Sequence, residues 1–221
     1  METFIKKHEY NYIKKCLNDL NNTFKSCVDI NIVESSKAYI SDKILNTFTN
    51  LSHEQKELLD INEINDSSQI DTYLAGLDKY VYGMPKVTNT QISKLFKKEK
   101  KLKLQNLDAE DSKIVYLGWI DEPTKKLFVA YNMNDNLIGM TCRMPNHSSN
   151  NTHICSLCNH VGRQNEVAFV SPVCKTSNSG EGAYKSIGFY ICLDSKKCNE
   201  RIVSTEKLER ILKNVNNIKC K

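Results

Sequence analysis

Glycine and proline are scarce in this 221-residue chain, at eight and four residues, which excludes collagen-like and low-complexity architectures. No stretch approaches the ~20 apolar residues that a membrane helix requires. The start, Met1-Glu-Thr-Phe-Ile-Lys-Lys-His8, carries charges and no apolar run of the kind that marks a secretory signal. Catalytic signatures are missing too: there is no glycine-rich phosphate loop, Gly-x-Ser-x-Gly elbow or His-Glu-x-x-His helix. The His-x-Glu of the zinc deaminases is also absent. The five histidines are scattered; His153 and His160 flank a cysteine pair and read as its solvent-exposed neighbours. Asp108, Glu110 and Asp111 read as a solvated turn. Together these absences point to a binding protein and not an enzyme.

What remains is ordinary globular composition, 40% hydrophobic and 26% charged, enough for one large domain or two modest ones. The formal charge of +5 is a mild excess that favours an acidic partner without marking a dedicated nucleic-acid binder. Nine cysteines in a chain with no export signal imply a reducing compartment, with the cytoplasm as the expected location.

Residues 1–83 read as a helical bundle. Tyr10, Ile13, Cys16, Leu17, Leu20 and Phe24 recur at spacings of three and four, one apolar stripe on one helix. Cys27 reads with Cys16 as a core position. Ile40, Ile44, Phe48 and Leu51 repeat the pattern. Ser52 with Gln55 is a capping box for a third helix. Ser68 starts a fourth that buries Ile70, Tyr73, Leu74 and Leu77. Gly83 and Pro85 predict a helix end and a domain boundary.

Residues 84–221 read as an α+β domain. The box Thr88 to Gln91 opens a helix with Ile92, Leu95 and Phe96 buried. The period then becomes two, with strands expected at 101–104, Ile114–Trp119, Leu127–Tyr131 and Leu137–Cys142 and a hairpin loop at Asn132–Asn136. A last helix runs from about Thr205 and buries Leu208, Ile211, Leu212 and Val215. The overall class is α+β: a helical bundle followed by a mixed α/β domain containing a treble-clef-like zinc finger.

That finger, about residues 142–221, rests on Cys155-Ser-Leu-Cys158 and Cys192-(five residues)-Cys198. A Cys-x-x-Cys pair folds into a knuckle that aims two sulfurs at one metal, and zinc takes four such ligands in a tetrahedron at ~2.3 Å. The intervening segments Glu166–Val170 and Gly188–Ile191 form a hairpin that returns the second pair to the first. A four-thiolate site has no open position, so one Zn(II) here is structural. Bound by four thiolates it carries a net charge of about −2. Two readings compete: Cys174 as a substitute ligand, and the four thiols as small buried apolar groups. A redox dithiol lacks its βαβ context around Cys155.

The run Lys94, Lys97, Lys98, Lys100, Lys101 and Lys103 suits the end of a helix dipole; its second reading is a contact surface for an acidic protein or RNA phosphates. A zinc-finger RNA- or ribosome-binding module is therefore the alternative function from residues alone.

Several motifs, in order and spacing, carry a resemblance over nearly the whole chain. They are His8-Glu-Tyr-Asn-Tyr-Ile-Lys14, Leu95-Phe-Lys-Lys98 with Lys101-Leu-Lys103, Leu117-Gly-Trp119, Cys155-Ser-Leu-Cys-Asn159 and Tyr190-Ile-Cys-Leu-Asp-Ser195 with Cys198-Asn199. The chain resembles the FusB/FusC-type fusidic acid resistance proteins. The resemblance implies a helical bundle plus a four-cysteine zinc-finger domain. It also implies binding to bacterial elongation factor G, and release of that factor from ribosomes stalled by fusidic acid, with no membrane and no direct nucleic acid contact. For partner contacts it implies Tyr190. It also points to Ile154 and Ile187, which stand where the family has an aromatic and a lysine; Lys185 or Lys175 would supply the missing charge.

Overall fold

The computed structural model describes residues 2–99, 102, 113–145, 151–175 and 186–218. It divides into two compact units, Met1–Tyr82 and Gly83–Lys221. The strand expected at 101–104 (Leu102 apart), the acidic turn at 108–111 and Lys185 lie outside the described residues. No helix among the described residues is long and apolar enough to cross a membrane.

The first unit is built from β1 (Ile5–Lys6), α1 (Lys7–Ser26), α2 (Ile30–Leu45), α3 (His53–Leu58), α4 (Ser67–Asp78) and β2 (Val81–Tyr82). The backbone N–H of Lys6 donates to the Glu9 carboxylate at 2.7 Å and fixes the start of α1. The stripe Ile13, Cys16, Leu17 and Leu20 then buries in one cluster with Ile40, Ile44, Ile70, Leu74 and Leu77. Each such aliphatic side chain contributes about 1.5–3 kcal/mol when fully buried.

Three local expectations shift. Helix α2 stops at Leu45, where i→i+3 bonds from Thr47 and Phe48 tighten its last turn, so Phe48 and Leu51 reach the core from a loop. Helix α4 starts one residue before Ser68, because Asp66 accepts from the Ser68 N–H at 2.7 Å. Cys27 is no core residue: it caps the C-terminal end of α1 and is half-exposed. Periodicity also gives no sign of Lys37, a buried ammonium that donates to the Asn62 carbonyl and the Asn65 amide oxygen and pairs with Glu34. Strands β1 and β2 pair in parallel, Ile5 with Val81 and Lys6 with Tyr82, joining the two ends of the unit.

The second unit begins with Gly83, whose role differs from the helix ending expected of it. Helix α4 has already ended at Asp78. A Cβ at Gly83 would instead meet the backbone nitrogen of Ile114 at 2.5 Å, so the residue is bare for close backbone approach. Helix α5 (Asn89–Leu95) follows, opened by the Thr88–Gln91 capping box. A five-stranded sheet then forms from β3 (Leu117–Asp121), β4 (Lys126–Met133), β5 (Asn136–Arg143), β8 (Val167–Pro172) and β9 (Phe189–Cys192), in that spatial order and antiparallel throughout. The β4–β5 turn consists of Asn134 and Asp135, both left-handed at φ 50° and 61°. Two such residues in a two-residue loop match the strand twist.

Side chains along a strand alternate between faces. On β4, Leu127 and Val129 join the cluster of Tyr116, Met140, Ile191 and Leu212, while Phe128 and Ala130 join Ile92, Phe96 and Trp119. Both faces of the strand are covered, which explains its unbroken apolar sequence. Beside the sheet lie a small hairpin, β6 (Thr152–Ile154) with β7 (Val161–Arg163), the short helix α6 (Ser195–Asn199) and the last helix α7 (Glu206–Asn216). Helix α7 ends on left-handed Asn217, with the Ile218 N–H returning to the Lys213 carbonyl, a common helix stop.

Candidate metal centre

Three elements bring four cysteines together. The Cys155–Cys158 knuckle is the turn between β6 and β7. Asn159 closes it in the left-handed region, at φ 59°, a conformation Asn tolerates better than most residues. The Asn159 N–H donates to the Cys155 carbonyl at 2.9 Å, and the Cys155 N–H donates to the His160 carbonyl at 2.8 Å. Cys192 ends β9. Cys198 sits one turn into α6, whose start is fixed by the Asp194 carboxylate accepting from the Lys197 N–H. The Ser156 N–H donates to the Tyr190 carbonyl at 2.8 Å, stitching the knuckle to the strand that carries Cys192.

All four sulfurs lie within 4.8 Å of one another. The Cys155–Cys198 separation is 3.9 Å and the Cys158–Cys192 separation 3.6 Å. A tetrahedron with metal–sulfur bonds of ~2.3 Å has sulfur–sulfur edges of ~3.8 Å, so the donor set fits zinc in both chemistry and size. Cys174 stands outside the cluster, its sulfur 3.7 Å from the Pro172 carbonyl oxygen, which removes it as a substitute ligand.

Four thiols in one small volume cannot ionise independently. Hydrogen bonds from Cys158, Cys192 and Cys198 pull Cys155 down, while Cys155 foremost pushes Cys192 and Cys198 up. Cys158 is lowered as well, against the opposing effect of Cys155, by Cys192 and Cys198, so two thiolates are favoured and the other two are opposed. A dication at the centre removes that opposition, because the thiolates then face positive charge. The four clustered cysteines therefore fit one structural zinc ion.

Around the metal centre the finger exposes apolar side chains. Ile154 and Val161 pair across β6 and β7 and are 58% and 56% exposed. Tyr190 on β9 pairs with Phe169 on β8, and their rings meet edge to face at 5.3 Å. The Phe169 ring lies over bare Gly188. His153, read from sequence as a solvent-exposed neighbour, is half-buried and stacks on Tyr190 at 4.2 Å. Ile187 is half-buried and packs on the core cluster. Strand periodicity places Val161 and Phe169 on exposed faces only once the pairing partners are known, and so the sequence alone did not single them out.

Comparison with known proteins agrees with this geometry. Residues 4–85 match the family model described as elongation factor G-binding protein, N-terminal. Residues 90–218 match the one described as FBP C-terminal treble-clef zinc-finger. No curated protein matches. Among solved structures, the fusidic acid resistance protein FusC aligns at a TM-score of 0.78 and 22% identity, covering 96% of this chain and 97% of that one; the likeness is one of fold. With the treble-clef model alone spanning more than half of the sequence, this chain belongs to the family of elongation factor G-binding proteins that carry the FBP zinc finger.

Proposed function

We propose that this protein binds bacterial elongation factor G through its zinc finger and frees the factor from ribosomes stalled by fusidic acid, acting in the cytoplasm without catalysing a reaction. The observation that carries the reading is the pair of family matches over residues 4–85 and 90–218. The exposed Ile154–Val161 pair and the Tyr190–Phe169 rings support it with an apolar surface on a metal-held scaffold. Rigid aromatic anchors such as Tyr190 carry much of the energy of protein interfaces, and the apolar contacts around them exclude water.

Release by binding is linkage. The protein shifts the factor off the ribosome only if it binds the departing conformation more tightly than the trapped one, and a tenfold effect needs ~1.4 kcal/mol of difference. In this reading Tyr190 and Ile154 contact the factor. Ile187 supports the surface from within, and Lys185 supplies charge.

The test is calorimetric titration of the zinc-loaded protein against purified elongation factor G, beside the variants Ile154→Asp and Tyr190→Ala. We expect micromolar or tighter binding that weakens at least tenfold in each variant. Absence of binding by the unmodified protein at tens of micromolar sinks the proposal.

A further inference from the structure

Tyr116 lies just before β3, is 1% exposed, and its hydroxyl has no hydrogen-bond partner among the described residues. The Tyr116 side chain shares one buried cluster with Cys155, Cys192 and Cys198. Three of the four metal-site cysteines are thus packed in one core with an O–H that has no partner among the described residues.

The backbone holds the ring in place. Asn199, the residue after Cys198, accepts from the N–H groups of Val115 and Tyr116 at 2.6 and 3.0 Å. Its amide nitrogen donates to the Tyr116 carbonyl at 2.9 Å and to the Ser195 carbonyl at 2.8 Å. Ser195 in turn donates to the Gly118 carbonyl at 2.6 Å. A Cβ on Gly118 would meet both the Tyr116 ring and the Ser195 side chain at 2.9 Å, so the bare glycine lets the ring and α6 share one space.

We propose that the Tyr116 hydroxyl donates an O–H···S hydrogen bond to the Cys198 thiolate of the zinc-loaded finger, making Tyr116 a positioning residue that governs how firmly zinc is held. A neutral thiol is a weak acceptor, whereas a metal-bound thiolate carries charge and accepts well. The bond spreads part of the excess negative charge of a four-thiolate site. It also gives a buried hydroxyl the partner that buried polar groups normally have. Donors to metal ligands typically change metal affinity 10–100-fold.

The test compares the full chain with Tyr116→Phe, which removes one oxygen and keeps the ring. Zinc is competed away with a chromophoric chelator, and the cobalt(II)-substituted protein is examined for its sulfur-to-metal charge-transfer band. We expect the variant to hold zinc 10–100-fold more weakly and to show the band at lower energy, because a thiolate without its donor gives up electrons more easily. Equal affinity, or weaker affinity with an unmoved band, overturns the proposal in favour of simple core filling. If the variant does not fold, cadmium-113 is loaded into the unmodified protein instead. A Tyr116 hydroxyl proton coupled to cadmium through Cys198 supports the bond, and one without coupling overturns it. An unmodified protein that takes up no zinc would fail the metal assignment itself, an outcome distinct from the loss of this one bond.

Discussion

Replacing Asn199 with Ala should destabilise the second unit severely. The side chain is 3% exposed and makes four hydrogen bonds, three of which link α6 to the approach of β3 while the fourth stays within α6. Alanine leaves two backbone donors, at Val115 and Tyr116, buried and unpaired. Each orphaned donor costs about 1–3 kcal/mol, so the pair sums to about 2–6 kcal/mol, before any cavity cost. A whole domain is stable by only ~5–15 kcal/mol. Trp119 is the single tryptophan and is buried in this unit, so its emission reports on this unit alone. Urea titration of zinc-saturated protein should show a midpoint lowered by about 1–3 M, taking a slope of about 2 kcal/mol per molar. A loss under about 1 kcal/mol would refute the reasoning, since it would mean that water or a shifted backbone replaces the amide at no cost.

Cys155→Ser removes one of four ligands and with it most of the ~10–16 kcal/mol that a structural zinc adds to folding; metal analysis should find no stoichiometric zinc, and Trp119 emission should report an unfolded second unit. Alkaline pH should also weaken this unit. Burial, and Cys174 after it, push the Cys142 thiol up to about 12. The folded state therefore favours the protonated thiol, and its contribution is complete below an ordinary thiol pKa of ~8.5 and lost as pH rises through about 12. Thermal melts of Cys142→Ala should fall less steeply across that window than those of the unmodified protein, and parallel slopes would count against the assignment.

The sequence was most readable where structure is local. The stripe on α1 and the capping boxes at Ser52 and Thr88 each depend on residues within one or two turns, and the chain places them there. The cysteine pairs were readable for another reason: zinc demands a fixed donor set, so spacing alone carries chemistry. Long-range features left no such trace. The β1–β2 pair joins residues 76 positions apart with only two residues per strand. Asn199 meets Tyr116 across 83 positions, and neither residue has a motif of its own that announces the contact. Lys37 looked like any exposed helical lysine because its partners, Asn62 and Asn65, lie in a loop. Gly83 was read as a helix stop because the backbone of Ile114, which it accommodates, is remote in sequence.

The metal centre also explains why the finger can show apolar side chains to water. Strands β6 and β7 have three residues each, too short for a hairpin to persist without support. Their buried contribution is small, since only Gly162 among them is buried. What holds the hairpin is the knuckle's two sulfurs, its bond to the Tyr190 carbonyl, and the core that receives Leu157. With stability supplied by ligation, Ile154 and Val161 are released from core duty and can remain exposed. A surface fixed in this way loses little conformational freedom when a partner covers it, and that saving goes directly into affinity. Removing the metal should therefore abolish partner binding even though no zinc ligand other than Cys158 is more than slightly exposed.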